Sequence, residues 1–368
     1  MKMQKVKLGD ILDLQPKSKI KAGEGTMNGK YPFFTSSKIQ DKFINVADYH
    51  YPSLIFGTGG DASVHFCNTD FSTSTDCLVF ILRNNYNANL KYVYYYLFEN
   101  IDLIKAGFKG CGLKHISRNY ILDIEIDLPH IDQQDKLVYM LDCICSLGEK
   151  RKEQIKKLDL LIKSRFIEMF GAPLSDEYTT PFINACTFNP KKTEKKDWAD
   201  NLLVSFVPMP LVSEQGQIQT NNIKLYSDVK KGFTYFREND VLFAKITPCM
   251  ENGKGAIAIN LQNGIGFGST EFHVLRPIEN ISNPYWIYYL TAIDSFRIMA
   301  EKKMTGSAGQ KRVPISFFEN LKVNLPPIEL QNEFAEFVKL IDKSKFRWQK
   351  SLEELESLKK SLMQQYFG

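Results

Sequence analysis

Apolar residues recur at seven-residue steps near the end of the chain: Phe334, Ile341, Trp348, Leu355 and Leu362. Val338, Leu352 and Leu358 widen this stripe. A sparser version, Leu137, Ile144 and Leu158, recurs at multiples of seven in an earlier segment. Sustained spacing of this kind is the mark of a coiled-coil-like seam. Both stretches are rich in helix formers and almost free of Gly and Pro. Pro129 and the pair Pro326-Pro327 suit a first helical turn, and Gly171 and Gly368 suit a helix end. The pattern predicts helices over 131–169 and 328–366, each roughly 55–60 Å long. Neither stripe can stay bare, so the simplest arrangement packs the helices antiparallel on each other through these eight seven-step residues. The competing arrangement buries each helix in its own domain.

The rest reads as mixed strand and helix. Ser53–Phe56, Leu78–Leu82, 240–243 and 272–275 have the short apolar runs of strands, and 90–104 and 284–300 are Tyr-rich and helical. Lys17–Asn28 and Pro208–Thr220 read as long polar loops. No regular βαβ alternation is present, so the fold class expected is α+β.

The second half restates the first. Residues 131–171 align without a gap on 328–368, including Gln134 with Gln331, Ile144 with Ile341, Leu158 with Leu355 and Lys163-Ser164 with Lys360-Ser361. Both segments follow Leu-Pro and end in Phe-Gly. Upstream, GLKHISRNYILDIEIDLP (112–129) matches GQKRVPISFFENLKVNLP (309–326) at the same offset. YVYYYL (92–97) parallels YWIYYL (285–290), STDCLVFIL (74–82) parallels STEFHVLRP (269–277), and DLQPKSK (13–19) parallels TFNPKKT (187–193). A constant frame with variable spacers suits a reader of two different targets. The expected domains are 1–128 and 172–325, with spacer helices 129–171 and 326–368 and an internal pseudo-twofold repeat.

Composition narrows the function classes. The net charge of +5 is mildly basic and does not by itself demand nucleic acid. No apolar run reaches the ~20 residues that span a bilayer, and MKMQKVKLGD is not a signal peptide, so a cytoplasmic, membrane-free protein is expected. Seven cysteines without a CxxC pair read as buried free thiols rather than disulfides or zinc ligands. The five histidines, at 50, 65, 115, 130 and 273, show no metal-ligand spacing. GTGG (57–60) lacks the spacing and the Lys-Ser/Thr of a phosphate loop, and AKIT (244–247) replaces it in the second half. GIGFGS (264–269) is not a dinucleotide fingerprint. Asn189-Pro190 and Asn283-Pro284 do not continue into the Asn-Pro-Pro-aromatic motif of an amino-methyltransferase. Glu125-Ile126-Asp127 and Glu251–Lys254 read better as solvated charge than as a nuclease metal site.

GLKHIS…DIEIDLPHIDQQDKL (112–137) and GQKRVPIS…LKVNLPPIELQNEF (309–334) resemble the twin motifs of the specificity subunits of type I restriction-modification enzymes. The closing Leu-x-x-Leu-x-x-Ser and terminal Phe-Gly resemble that family too, and the likeness runs along essentially the whole chain. His130 departs from it, standing where a second proline is expected. The resemblance implies two target-recognition domains, each reading half of an interrupted double-stranded DNA sequence. It also implies helices that dock methyltransferase subunits, with a motor-nuclease subunit joining the complex. The chain would then bind no cofactor and catalyse nothing. S-adenosylmethionine, ATP and Mg belong to its partners. DNA half-sites one turn apart lie ~34–36 Å from centre to centre, a spacing compatible with rods of that length.

Candidate DNA-facing residues are polar and cationic side chains in loops beside the repeated landmarks. In the first domain these are Lys17, Lys19, Lys21, Ser36, Ser37, Lys38, Thr58, Lys109, Lys114 and His115. In the second they are Lys191, Lys192, Lys245, Thr247, Lys302, Lys303, Lys311 and Arg312. Lysines and arginines would hold phosphates, and Ser or Thr could also touch base edges. Lys17/Lys191, Lys114/Lys311 and His115/Arg312 occupy matching positions. The alternatives are a protein-binding scaffold and the detached specificity domain of a fused restriction enzyme.

Overall fold

The computed structural model describes residues 4–84, 86–112, 114–172, 177–191, 198–307 and 309–368. It divides into two compact units: Met1–Lys152 with Gln349–Gly368, and Glu153–Trp348.

In the first unit, four antiparallel strands stand in the order Leu12–Leu14, Cys77–Leu82, Ser53–Gly57, Val64–Cys67. A three-stranded sheet orders Lys42–Ile44, Tyr31–Phe34 and Ser72–Thr73. The short pair Gln4–Lys7 and Glu125–Leu128 closes the unit. Leu54, Phe56 and Phe80 from the larger sheet share one core with Tyr92, Val93 and Leu97 of the helix Leu90–Glu99. The second unit repeats this plan. Cys186–Phe188, Phe272–Pro277, Val241–Ala244 and Gly255–Ile257 form the same order of four antiparallel strands, and Thr180–Pro181 pairs with Lys322–Val323. Its other sheet is larger, ordering Ile223–Leu225, Leu203–Val207, Ile265–Gly268 and Thr234–Arg237.

The long helices are Ile131–Phe170 and Ile328–Phe367, 40 residues each. In the first unit Leu137, Val138 and Leu141, near the start of one helix, share a core with Met363 and Phe367 at the end of the other. In the second unit Ile162, Phe166 and Phe170 do the same with Phe334 and Val338, and Phe334 meets both phenylalanine rings edge-on at 5.4 Å. The helices therefore run antiparallel within each unit. The expected packing residues divide into two groups. Leu137, Ile144 and Phe334 are buried, while Leu158, Ile341, Trp348, Leu355 and Leu362 are only half-buried, and Leu358 is 49% exposed. Towards the helix centres the body of the unit no longer covers the seam. Trp348→Ala should accordingly cost about 1–2 kcal/mol, less than the ~3–5 kcal/mol of a fully buried aromatic. Urea unfolding measures it, and a loss above 3 kcal/mol would show the indole to be fully covered.

The two helices expected over 90–104 and 284–300 are each broken, into Leu90–Glu99 and Ile101–Lys105, and into Pro284–Ala292 and Asp294–Lys302. Asn100 leaves helical geometry, and its side-chain Nδ2 donates to the carbonyls of Tyr96 (3.0 Å) and Phe367 (2.7 Å). Ile293 turns extended and buries its side chain in the core. The cysteines also depart from expectation. Cys67, Cys77 and Cys186 are buried, but Cys111 and Cys143 are exposed. No helix among the described residues is long and apolar enough to cross a membrane.

Candidate nucleic-acid interface

Each unit presents the same backbone frame at one end of its four-stranded sheet. In the first, the Asp76 carbonyl accepts from the Thr58 amide (2.8 Å) and the Thr58 carbonyl from the Ile116 amide (3.1 Å). In the second, Glu271 accepts from Lys245 (2.9 Å) and Lys245 from Val313 (2.9 Å). His115 bridges Gly59 and Lys109, as Arg312 bridges Ile246 and Thr305. The Gln15 amide donates to Val79 and the Asn189 amide to Val274, both at 2.8 Å, which makes Lys17 and Lys191 equivalent. The landmarks matched along the sequence are thus the parts of one frame, built twice.

In the first unit the frame gathers most candidates around the turn 74–76. Ser36 Oγ and Thr58 Oγ1 both donate to the Asp76 carbonyl at 2.8 Å. His65 Nε2 donates to the Ser37 carbonyl (2.8 Å), and exposed Lys38 pairs with Asp61 at 2.9 Å. Lys17, Lys19 and Lys21 are exposed on a segment tied down by Thr75, whose amide donates to Ile20 (2.9 Å). Exposed Lys109, Lys114 and His115 belong to one hairpin, where His115 Nδ1 meets the Thr58 carbonyl at 3.1 Å. The GTGG turn has a packing reason for its glycine: a Cβ on Gly57 would stand 2.9 Å from the Ser36 Cα.

In the second unit Lys245, Thr247, Lys311 and Arg312 come together. Thr247 donates through its backbone amide and its hydroxyl to the Lys311 carbonyl (3.0 and 3.3 Å). Arg312 is committed within the protein: its Nε and terminal nitrogen bind the Glu271 carboxylate at 2.9 and 2.8 Å and hold that carboxyl below its usual range. It fixes the hairpin rather than offering a free charge. Lys302 and Lys303 stand exposed where the helix Asp294–Lys302 ends, at the root of that hairpin. Lys192 lies outside the described residues.

Lys230, Lys231 and Phe233 lie outside the repeated landmarks and were not among the expected DNA-facing residues. They line a groove of about 480 Å³ with Lys191, Lys245 and Thr270. Their signal was the twin lysine before Gly232, a residue at φ +82° that turns the chain back. Behind the groove His273 ties three landmarks together. Its Nε2 donates to the Val313 carbonyl (2.8 Å), and its Nδ1 accepts from the Asn189 side-chain Nδ2 (3.2 Å). Both bonds suit the neutral ring, and burial lowers its pKa to about 4. A histidine held neutral stabilises fully above its unfolded pKa of about 6.5 and loses that contribution as pH falls towards 4. The second unit should lose about 3 kcal/mol over that window. Fluorescence-detected unfolding of wild type against His273→Gln checks this, and equal pH slopes would contradict it.

A family model described as "Type I restriction modification DNA specificity domain" matches residues 1–157 and again 172–357. The chain is 39% identical over 199 residues to the type I restriction enzyme EcoAI specificity subunit of Escherichia coli, covering 53% of this chain and 33% of that one. It is 42% identical over 179 residues to the EcoEI specificity subunit of the same organism, covering 48% and 30%. The matches thus span about a third of the length of these curated relatives. Among solved structures, the type I restriction-modification system S subunit from M. genitalium shares the fold, with a TM-score of 0.61 over 98% of this chain and 95% of that chain, at 14% identity. With both copies of the repeat matched by the family model, this chain belongs to the type I restriction-modification DNA specificity family.

Proposed function

We propose that this chain is the sequence-specific DNA-binding subunit of a type I restriction-modification complex, each unit reading one part of a bipartite site in double-stranded DNA. The observation that carries the reading is the twice-built frame. The same hydrogen bonds present different side chains, Thr58 in one unit and Lys245 in the other. A constant scaffold with different contact residues is what reading two sequences requires. The chain contributes recognition and no catalysis. S-adenosylmethionine belongs to methyltransferase subunits, and ATP and Mg to a motor-nuclease subunit.

The long helices supply the docking surface for methyltransferase subunits. In the second unit Leu160, Leu340 and Phe346 stand exposed on them, between 62% and 74% accessible. Large apolar side chains left in water on a helix are the kind of group that a partner subunit would cover.

A gel shift with the purified chain plus its cognate methyltransferase tests the reading. Retarded duplex DNA, with one sequence preferred, supports it. A complex that forms but ignores DNA would make the chain a protein scaffold instead. Within that assay, Lys311→Gln should weaken all duplexes about equally and lower the slope of log K against log salt by about 1. A change confined to one sequence would show that Lys311 reads bases.

A further inference from the structure

The second unit carries an exposed aromatic side chain that the frame around Lys245 and Arg312 does not use. Phe233 is 39% exposed, on the turn Lys230-Lys231-Gly232-Phe233. Its ring stands edge-on to Phe206, centroids 4.8 Å apart. Phe206 lies opposite Phe267 in the four-stranded sheet. Phe267 in turn packs against Tyr235 at 5.7 Å, Tyr226 at 5.8 Å and Trp198 at 6.3 Å. Phe206, Tyr226 and Trp198 are half-buried and pack against buried Tyr235 and Phe267, so Phe233 is the exposed end of an aromatic layer that holds it in place. Positive charge surrounds it: Lys191, Lys231 and Lys245 share its groove, and Lys224 Nζ lies 4.2 Å from the Phe206 centroid.

A rigid apolar ring among lysines fits a polyanion with an apolar interior, and duplex DNA has that chemistry. Phosphates would lie at the lysines and base edges or an opened base step at the ring. We propose that Phe233 is a specificity-determining residue of the second unit, making apolar contact with bases while the neighbouring lysines hold the flanking phosphates. The inference rests on the DNA-reading function proposed above. A flexible surface phenylalanine would gain little from such contact, but one fixed in advance loses little freedom on binding.

The test uses the complex of this chain with its methyltransferase subunits. Modification mapping of DNA from cells that express the complex identifies the recognised sequence. Duplexes changed at one base pair at a time then compete for binding at fixed salt. Phe233→Ala and Phe233→Gln should each reduce discrimination about tenfold at one or two neighbouring positions of one half-site. The salt slope should stay unchanged, and Phe233→Leu should retain most of the discrimination. Lys231→Gln should weaken every duplex alike. A discrimination profile identical to wild type in both Phe233 variants, or a uniform loss across all duplexes, would overturn the assignment. If the wild-type complex itself binds no duplex, the DNA-reading function falls and this inference falls with it.

Discussion

Asp240→Ala is expected to destabilise the second unit by about 3–5 kcal/mol. The Asp240 carboxylate receives Arg276 Nε and a terminal Arg276 nitrogen at 2.7 Å each, and the Arg237 amide at 2.8 Å. Both side chains are out of water, 6% exposed for Arg276 and 1% for Asp240. Burial pushes the Asp240 carboxyl upward while Arg276 pulls it down. Forming such a pair brings little net stability, because desolvation offsets the attraction. Removing one partner is costly because it strands the other charge. The double variant Asp240→Leu/Arg276→Met should therefore recover most of the loss. All three tryptophans, Trp198, Trp286 and Trp348, belong to the second unit, so urea unfolding followed by indole fluorescence reports on it alone. A single variant within 1 kcal/mol of wild type would contradict the argument.

The second large effect belongs to the glutamines that the repeat places at equivalent helix starts. Gln331 is fully buried. Its Oε1 accepts from the Asn283 amide (2.8 Å), and its Nε2 donates to the carbonyls of Pro326 (2.8 Å) and Ile281 (3.0 Å). Asn283 in turn caps the helix Pro284–Ala292 through the Tyr285 amide. Gln331→Leu keeps the volume and leaves these backbone groups without a partner, at an expected cost of about 2–4 kcal/mol. Gln134 makes the same two kinds of bond, to the Asn89 amide (2.9 Å) and the Pro129 carbonyl (2.8 Å). Gln134→Leu should cost somewhat less, since it breaks one bond fewer. Amide exchange in the capped helix of each unit measures both. Unchanged protection after Gln331→Leu would show that water replaces the side chain.

The frame was legible in the chain because it was written twice. Matching Gln134 with Gln331, and STD (74–76) with STE (269–271), marked positions that the structure ties by equivalent hydrogen bonds, though the bonds themselves were not legible in the chain. The seven-residue stripe revealed the helices, and the flanking prolines and glycines placed their ends to within a residue. How deeply that stripe is covered depends on residues distant in sequence, which is why Trp348 and Leu355 turned out half-buried. The breaks at Asn100 and Ile293 have the same origin, since a carbonyl of Phe367 and a core site draw those residues out of helical geometry. Of the candidate residues, those on the frame were found by alignment of the halves. The commitment of Arg312 to Glu271 was not visible, because the glutamate lies 41 positions away. Phe233 was missed because an isolated aromatic reads as core until its exposure is known.

The central claim is that the two units read separate parts of one DNA site. Exchanging residues 1–128 for the matching segment of a relative with a different target, and mapping the methylated sequence in cells that also carry the methyltransferase subunits, tests it most directly. The account predicts that one half of the recognised sequence changes and the other stays as it was. A change in both halves together, or in neither, would contradict it.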